Sequence, residues 1–326
     1  MLRTLAFGLT LIAPLPALLL APPASAQEAP AATLLQSMSE ASRQLNYKGR
    51  FLYQFGAEVS TMEVSHAVFD DHQYQRLTHL DGRLVEVLRR GPELVCLHSN
   101  GTLTRISDDA DGSPLEFQDR LASAIPSQYN VLLDGDGRVA GRSTLRVRVA
   151  PLDNHRYGYR LWLDDESKLL LKSEMVDGNG LALERVEFVT LDLSPGLQRA
   201  DFDVPETHSE RALENVASSR PGNFVIEAQW LPGGFEAVDQ DWRRVDTVAD
   251  PVAAQSYSDG LATFTVFAEA TDGASPEEGV SRVGPTVAIS RHTQNGPVTF
   301  LMTLVGEIPQ PTAERVMQSI QVSTAQ

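Results

Sequence analysis

The chain has 326 residues and a formal net charge of −16, with 42% hydrophobic and 21% charged residues. That balance describes a globular protein long enough for two cores. It excludes broad nucleic-acid binding, because a surface of this sign repels a polyanion before local contacts can form.

The first residues read as an export signal. Arg3 precedes an apolar stretch from Leu5 to Leu20, followed by Pro22-Pro23 and Ala24-Ser25-Ala26. A basic start, a short apolar middle and an Ala-x-Ala end predict cleavage after Ala26, so residues 1–26 are a signal peptide and Gln27 starts the mature chain. No lipobox cysteine lies at the junction, and no later apolar run is long enough to span a bilayer. The expected compartment is the periplasm.

Thr33-Leu34-Leu35-Gln36 fits a capping box and starts a helix over 33–45, with Leu34, Leu35, Met38 and Leu45 on one face. From Tyr47 the period changes to two: Tyr47, Gly49, Phe51, Tyr53 and Phe55 alternate with Lys48, Arg50, Leu52 and Gln54. Further strands are predicted over 58–69, 73–80, 84–89, 93–98 and 103–106, with breaks at Asp70-Asp71, Asp81-Gly82, Gly91-Pro92 and Asn100-Gly101. Cys96, the only cysteine, falls inside one of them and reads as a small buried residue.

Ser113-Pro114-Leu115-Glu116 starts a second helix that stops near Pro126. Strands resume where Leu145, Val147 and Val149 alternate with Arg146 and Arg148, then at 157–163, 168–175 and 181–191. About ten strands with two helical insertions predict a large curved sheet or unclosed antiparallel barrel. The pattern breaks from Glu206 and ends in Ser218-Ser219-Arg220-Pro221-Gly222, so 27–206 is one domain, 207–222 a linker and 223–326 a second domain. That last part carries 5 Lys+Arg against 13 Asp+Glu, so it is markedly acidic. Strands at 224–230, 262–268, 283–290 and 298–305 and a helix after Pro311 make it a small sheet covered by a helix, and the whole chain mainly β (α+β).

Catalytic signatures are missing. There is no Gly-x-Ser-x-Gly, His-Glu-x-x-His, glycine-rich phosphate loop or Cys-x-x-Cys. His72 and His79 could meet across a sheet, but scattered surface histidines are the commoner case, and no metal or cofactor is expected. The acidic stretches Asp108–Gly112 and Asp134–Gly137 lack the spacing of a calcium loop and read as turns. The chain reads as a binding protein, not an enzyme.

Two surfaces could do the binding. Phe51, Tyr53, Phe55, Leu161 and Leu163 share the apolar side of their strands and are the candidate lining of a hollow for an acyl chain, unless the helices simply plug it. In the second domain Trp230, Tyr257 and Phe267 are aromatic candidates for a peptide partner, and Arg282 and Arg291 stand out in acidic surroundings. Homo-oligomerisation is left open.

The run Tyr157-Gly158-Tyr159-Arg160-Leu161-Trp162-Leu163-Asp164 with Leu169-Leu170-Leu171-Lys172-Ser173 is similar to the MucB/RseB family. So are Tyr257-Ser258-Asp259-Gly260-Leu261 leading into Phe264-Thr265-Val266-Phe267, and Val305-Gly306-Glu307-Ile308-Pro309 before a short helix. The resemblance covers essentially the whole mature chain. It implies a large LolA/LolB-like unclosed barrel with helical lids joined to a smaller C-terminal domain. It also implies a periplasmic negative regulator of a sigma-E type envelope-stress response, which binds the periplasmic domain of a MucA/RseA type anti-sigma factor and shields it from proteolysis. Lipid or lipopolysaccharide acyl chains would release it. The alternative is a periplasmic lipid or lipoprotein carrier, which would use the same hollow but would not need residues 223–326.

Overall fold

The structure, a computed structural model, describes residues 25–82, 85–106, 121, 127–205, 208–210, 224–243, 252–271 and 278–324. The proposed signal peptide falls outside these residues up to Ala24. So do the acidic stretch at 108–112 and most of the linker. Of the second predicted helix only Leu121 is described, and it is helical and fully buried.

The alternation that starts at Tyr47 produces a meander: β1 (Tyr47–Phe55), β2 (Glu58–Phe69), β3 (His72–His79), β4 (Val85–Arg90), β5 (Glu93–His98) and β6 (Thr102–Ile106). A second run follows, formed by β7 (Tyr129–Val139), β8 (Arg142–Pro151), β9 (Gly158–Asp164), β10 (Leu170–Val176) and β11 (Ala182–Asp192). The two runs join because β11 pairs antiparallel with β1, placing Phe51 opposite Phe188. The sheet order is therefore β6-β5-β4-β3-β2-β1-β11-β10-β9-β8-β7, with the two-residue β12 (Ser209–Glu210) added in parallel beside β6. The ends of this order do not pair among the described residues, so the barrel is unclosed. His72 and His79 stand at opposite ends of β3 and do not approach each other across the sheet.

The first helix, α1, spans Ser25–Gln44 and not 33–45. The alanine-rich stretch before Thr33 is a strong helix former and continues the helix upstream. Of the expected face Leu35 and Met38 are fully buried, with Ala31, in a cluster with Val147, Val149, Leu161 and Leu163, and Leu34 packs half-buried beside them. Farther along, Ala41 and Leu45 meet Phe51, Met62, Leu171 and Phe188. Each large side chain buried there contributes about 1.5–3 kcal/mol relative to exposure. This packing fixes the lid on the sheet.

β7 was not legible as a strand, since Asp134-Gly135-Asp136-Gly137 reads as a turn. The structure carries the strand through it on a bulge between Leu133 and Asp136, where Gly135 adopts φ +86°. At Gly137 a Cβ would lie 2.8 Å from Trp162 Cδ1, so glycine is what lets that indole lie over the strand.

The C-terminal β domain has a six-stranded antiparallel sheet, ordered β14 (Glu236–Arg243), β15 (Val252–Ser258), β16 (Thr263–Thr271), β19 (Val298–Gly306), β18 (Thr286–Asn295) and β17 (Gly279–Val283). A ribbon of β13 (Phe224–Ala228) and β20 (Ile320–Thr324) lies beside it, with α2 (Gln310–Ser319) packed on β13, β18 and β19. The single strand expected over 283–290 is two strands, because Gly284 at φ +56° and Pro285 turn the chain between them. β14, β15 and β20 were not anticipated: β14 is acidic, and β15 reads Val-Ala-Ala-Gln-Ser-Tyr-Ser, with alanines that carry little strand signal.

Candidate functional site

The two β domains are joined by a buried ionic bolt. Arg156, in the loop between β8 and β9, has a side chain with 0% exposure, and so does Asp259 in the turn between β15 and β16. Arg156 Nη1 donates to Asp259 Oδ2, while Nε and Nη2 each reach the Asp153 carboxylate at 3.1 Å and Nη2 also donates to the Gly233 carbonyl at 2.6 Å. The Phe235 and Tyr129 rings lie 5.1 and 5.6 Å from the guanidinium carbon. Asp259 Oδ1 accepts the Leu261 and Ala262 backbone N–H groups at 2.9 and 2.7 Å. Both charges are thus met by several partners, which a buried pair needs to offset its desolvation.

Other contacts cross the same junction. The Tyr157 hydroxyl donates to the Ile308 carbonyl at 3.2 Å, and His155 Nδ1 pairs with Thr312 Oγ1 at 3.0 Å. Leu261 reaches from the smaller domain into the core of the larger one beside Leu35 and Leu161. The β1–β2 turn meets the β17–β18 turn so closely that a Cβ on Gly56 would lie 2.8 Å from Gly284 N. Burial raises the Asp153 carboxyl, but the Arg156 guanidinium and the His155 backbone N–H outweigh it and hold the group below its usual 3.8.

Beside this bolt lies a groove of about 780 Å³. Arg148, Pro151, Tyr159 and Arg160 line it from the large sheet, and Arg282, Pro309 and Gln310 from the smaller domain. Among the described residues no group of three or more His, Cys, Asp or Glu is placed to hold a metal ion, and no helix is long and apolar enough to cross a membrane.

The candidate residues separate in space. Phe51, Leu161 and Leu163 are fully buried in packed core, in two different clusters, so they do not line an open hollow. Tyr53 and Phe55 are half-buried at the end of β1 that faces the smaller domain. Burial, then the Glu184 and Glu307 carboxylates, push the Tyr53 hydroxyl up. Tyr257 is core, stacked on Phe264, and its hydroxyl accepts the Ala228 N–H. Phe267 is half-buried on the other side of β16. Trp230 lies at the junction with Arg315 over its ring at 3.8 Å and His155 against its edge. Arg291 donates to the Met317 carbonyl at 3.4 Å, near the end of α2, whereas Arg282 is exposed and lines the groove. Sequence reasoning did not single out Arg156, because Asp153-Asn154-His155-Arg156 has no periodic signal. Its partner Asp259 lies inside one of the segments that carried the family resemblance.

A large unclosed antiparallel sheet, bolted to a smaller β domain with a polar groove at the junction, defines a two-domain β protein built around its junction. The MucB/RseB N-terminal domain profile matches residues 30–206 and the MucB/RseB C-terminal domain profile residues 220–321. The chain belongs to the MucB/RseB family of sigma-factor regulatory proteins, which are not enzymes. It is 36% identical to the sigma factor AlgU regulatory protein MucB of Pseudomonas aeruginosa over 308 residues, covering 94% of this chain and 95% of that one. It is 28% identical to the sigma-E factor regulatory protein RseB of Escherichia coli K12, covering 93% and 94%. The crystal structure of MucB in complex with MucA(peri) superposes with a TM-score of 0.73 at 32% identity, over 90% of this chain and 100% of that one. A crystal structure of MucB gives 0.59 at 30% identity, over 90% and 98%.

Proposed function

We propose that this chain is a periplasmic negative regulator that holds the periplasmic domain of a MucA/RseA type anti-sigma factor at its domain junction and keeps that domain from regulated proteolysis. Lipid or lipopolysaccharide acyl chains release it. The observation that carries the reading is the buried Arg156–Asp259 bond, which makes the two domains one groove-bearing body. Near full-length similarity to MucB, one of whose structures holds MucA(peri), supports the choice of partner.

The acyl-chain signal enters at the Tyr53 and Phe55 end of β1, since Phe51, Leu161 and Leu163 leave no room deeper in. An acyl chain wedged there competes with the contact between Gly56 and Gly284 and favours parted domains. For release, the amphiphile must prefer that state by about 1–3 kcal/mol or more.

A pull-down from envelope extract with the processed protein tests this directly. The expected result is recovery of a single-pass anti-sigma protein that falls when lipopolysaccharide is added. Recovery of lipoprotein cargo instead, undiminished after deletion of 223–326, would establish a carrier.

A further inference from the structure

The groove has an unusual charge arrangement for so acidic a chain. Arg148 on β8 and Arg160 on β9 are direct cross-strand partners. Like charges in that relation repel and cost free energy. Arg160 is compensated by Glu174 at 2.9 Å and donates to the Gly180 carbonyl. Arg148 is exposed and has no acidic partner among the described residues. Arg282, on the opposite wall, is bonded through Nε to the Gly284 carbonyl of its own hairpin and likewise has no acidic partner there.

The carboxylates in the groove are already engaged. Asp134 pairs with Arg146 at 3.1 Å, Asp153 with Arg156, and Asp177 accepts the Asn179 and Leu181 backbone N–H groups. Asp177 has no cationic partner among the described residues, so the unpaired charges are this one carboxylate and two arginines, one from each domain. The hairpin that carries Arg282 is anchored at its turn by the close approach of Gly284 to Gly56.

We infer that the groove takes an acidic peptide segment, with a side-chain carboxylate held between Arg148 of one domain and Arg282 of the other. This rests on the regulator reading above and specifies the chemistry of its partner. An arginine fork matches a carboxylate with two parallel bonds, so two such forks on facing walls select an anion at one position along an extended chain. The walls favour a peptide over a lipid headgroup. Pro151, Gly158, Gly178, Pro309 and Pro311 line the groove together with Tyr157 and Tyr159, a mix of small, proline and aromatic surface suited to an extended peptide. Leu152 and Leu181, next in sequence to the lining residues Pro151 and Gly180, are 60% and 65% exposed and offer apolar contacts to neighbouring peptide side chains.

The test uses the whole processed protein, its Arg148→Gln, Arg282→Gln and double variants, and two probes: fluorescein-labelled MucA periplasmic domain and decaglutamate as competitor. Each single variant is expected to bind the domain about tenfold or more weakly, as for loss of a charge-assisted bond. The double variant should lose less than the product of the two, because both arginines grip one carboxylate. Decaglutamate should displace the domain from wild type, and the salt dependence of binding should flatten in the double variant. Variants that bind within twofold of wild type overturn the inference while leaving the regulator reading intact. Failure of wild type to bind the domain at all overturns both. Unchanged domain binding with lost binding to phosphatidylglycerol vesicles would assign the arginines to a headgroup phosphate and refute the peptide assignment.

Discussion

Replacing Arg156 with alanine is expected to separate the two domains thermodynamically. The substitution strips the fully buried Asp259 of its cation and removes the bonds to Asp153 and Gly233 together with the stacking against Phe235 and Tyr129. Removing one partner of a buried pair costs about 3–5 kcal/mol, since the remaining charge stays desolvated. Each domain keeps its own core, so the loss falls on the junction. Calorimetry should show one transition for wild type and two for the variant, with the smaller domain melting first. Arg156→Lys should recover only part of the loss, because an ammonium cannot reach Asp153, Asp259 and Gly233 with one planar fork. A single transition unchanged in temperature would mean the bolt does not couple the domains.

The same bolt predicts an acid limit. Asp153 is held below its ordinary value in the folded protein, so its contribution is complete above the unfolded value of 3.8 and is lost as pH falls through the lower folded one. The Asp153–Arg156 pair lies within one loop of the larger domain, so the melting temperature of that domain should fall below about pH 4.

Phe51→Ala is expected to cost about 3–5 kcal/mol, the range for deleting a buried phenyl group. Phe51 is fully buried, with its ring 5.5 Å from that of Phe188, and it fills the sheet interior beneath the end of α1. Phe55→Ala, at the half-buried end of the same strand, should change stability little and blunt release by lipopolysaccharide. The pair of variants distinguishes a packed core from an open hollow. If Phe51→Ala left the melting temperature unchanged while abolishing acyl-chain binding, the hollow would extend to that position and the packed interior described above would be wrong.

Much of the fold could be read from periodicity, and the failures have specific causes. β1 to β6 emerge within a residue or so because one wet face and one apolar face make alternation plain. β7 was hidden by a bulge whose Asp-Gly-Asp-Gly spelling is also that of a turn, and α1 was cut short because a good capping box at Thr33 lies inside a longer helix. For the site, alternation identified which side of the strand Phe51 and Leu163 face but could not say whether α1 fills the space above them. Arg282, which lines the groove, stands out in the sequence as a cation in an acidic segment. Arg156 and Asp259 do not, because their meaning depends on two loops 103 positions apart meeting in space.

Hydrogen exchange of the processed protein, with and without the MucA periplasmic domain, tests the central claim most directly. A partner seated in the groove should slow exchange together in segments 148–160, 279–284 and 309–311, which come from both domains, and lipopolysaccharide should reverse that protection. Protection confined to one domain, or lying on the β3–β6 side of the large sheet away from the junction, would contradict a grip that depends on both.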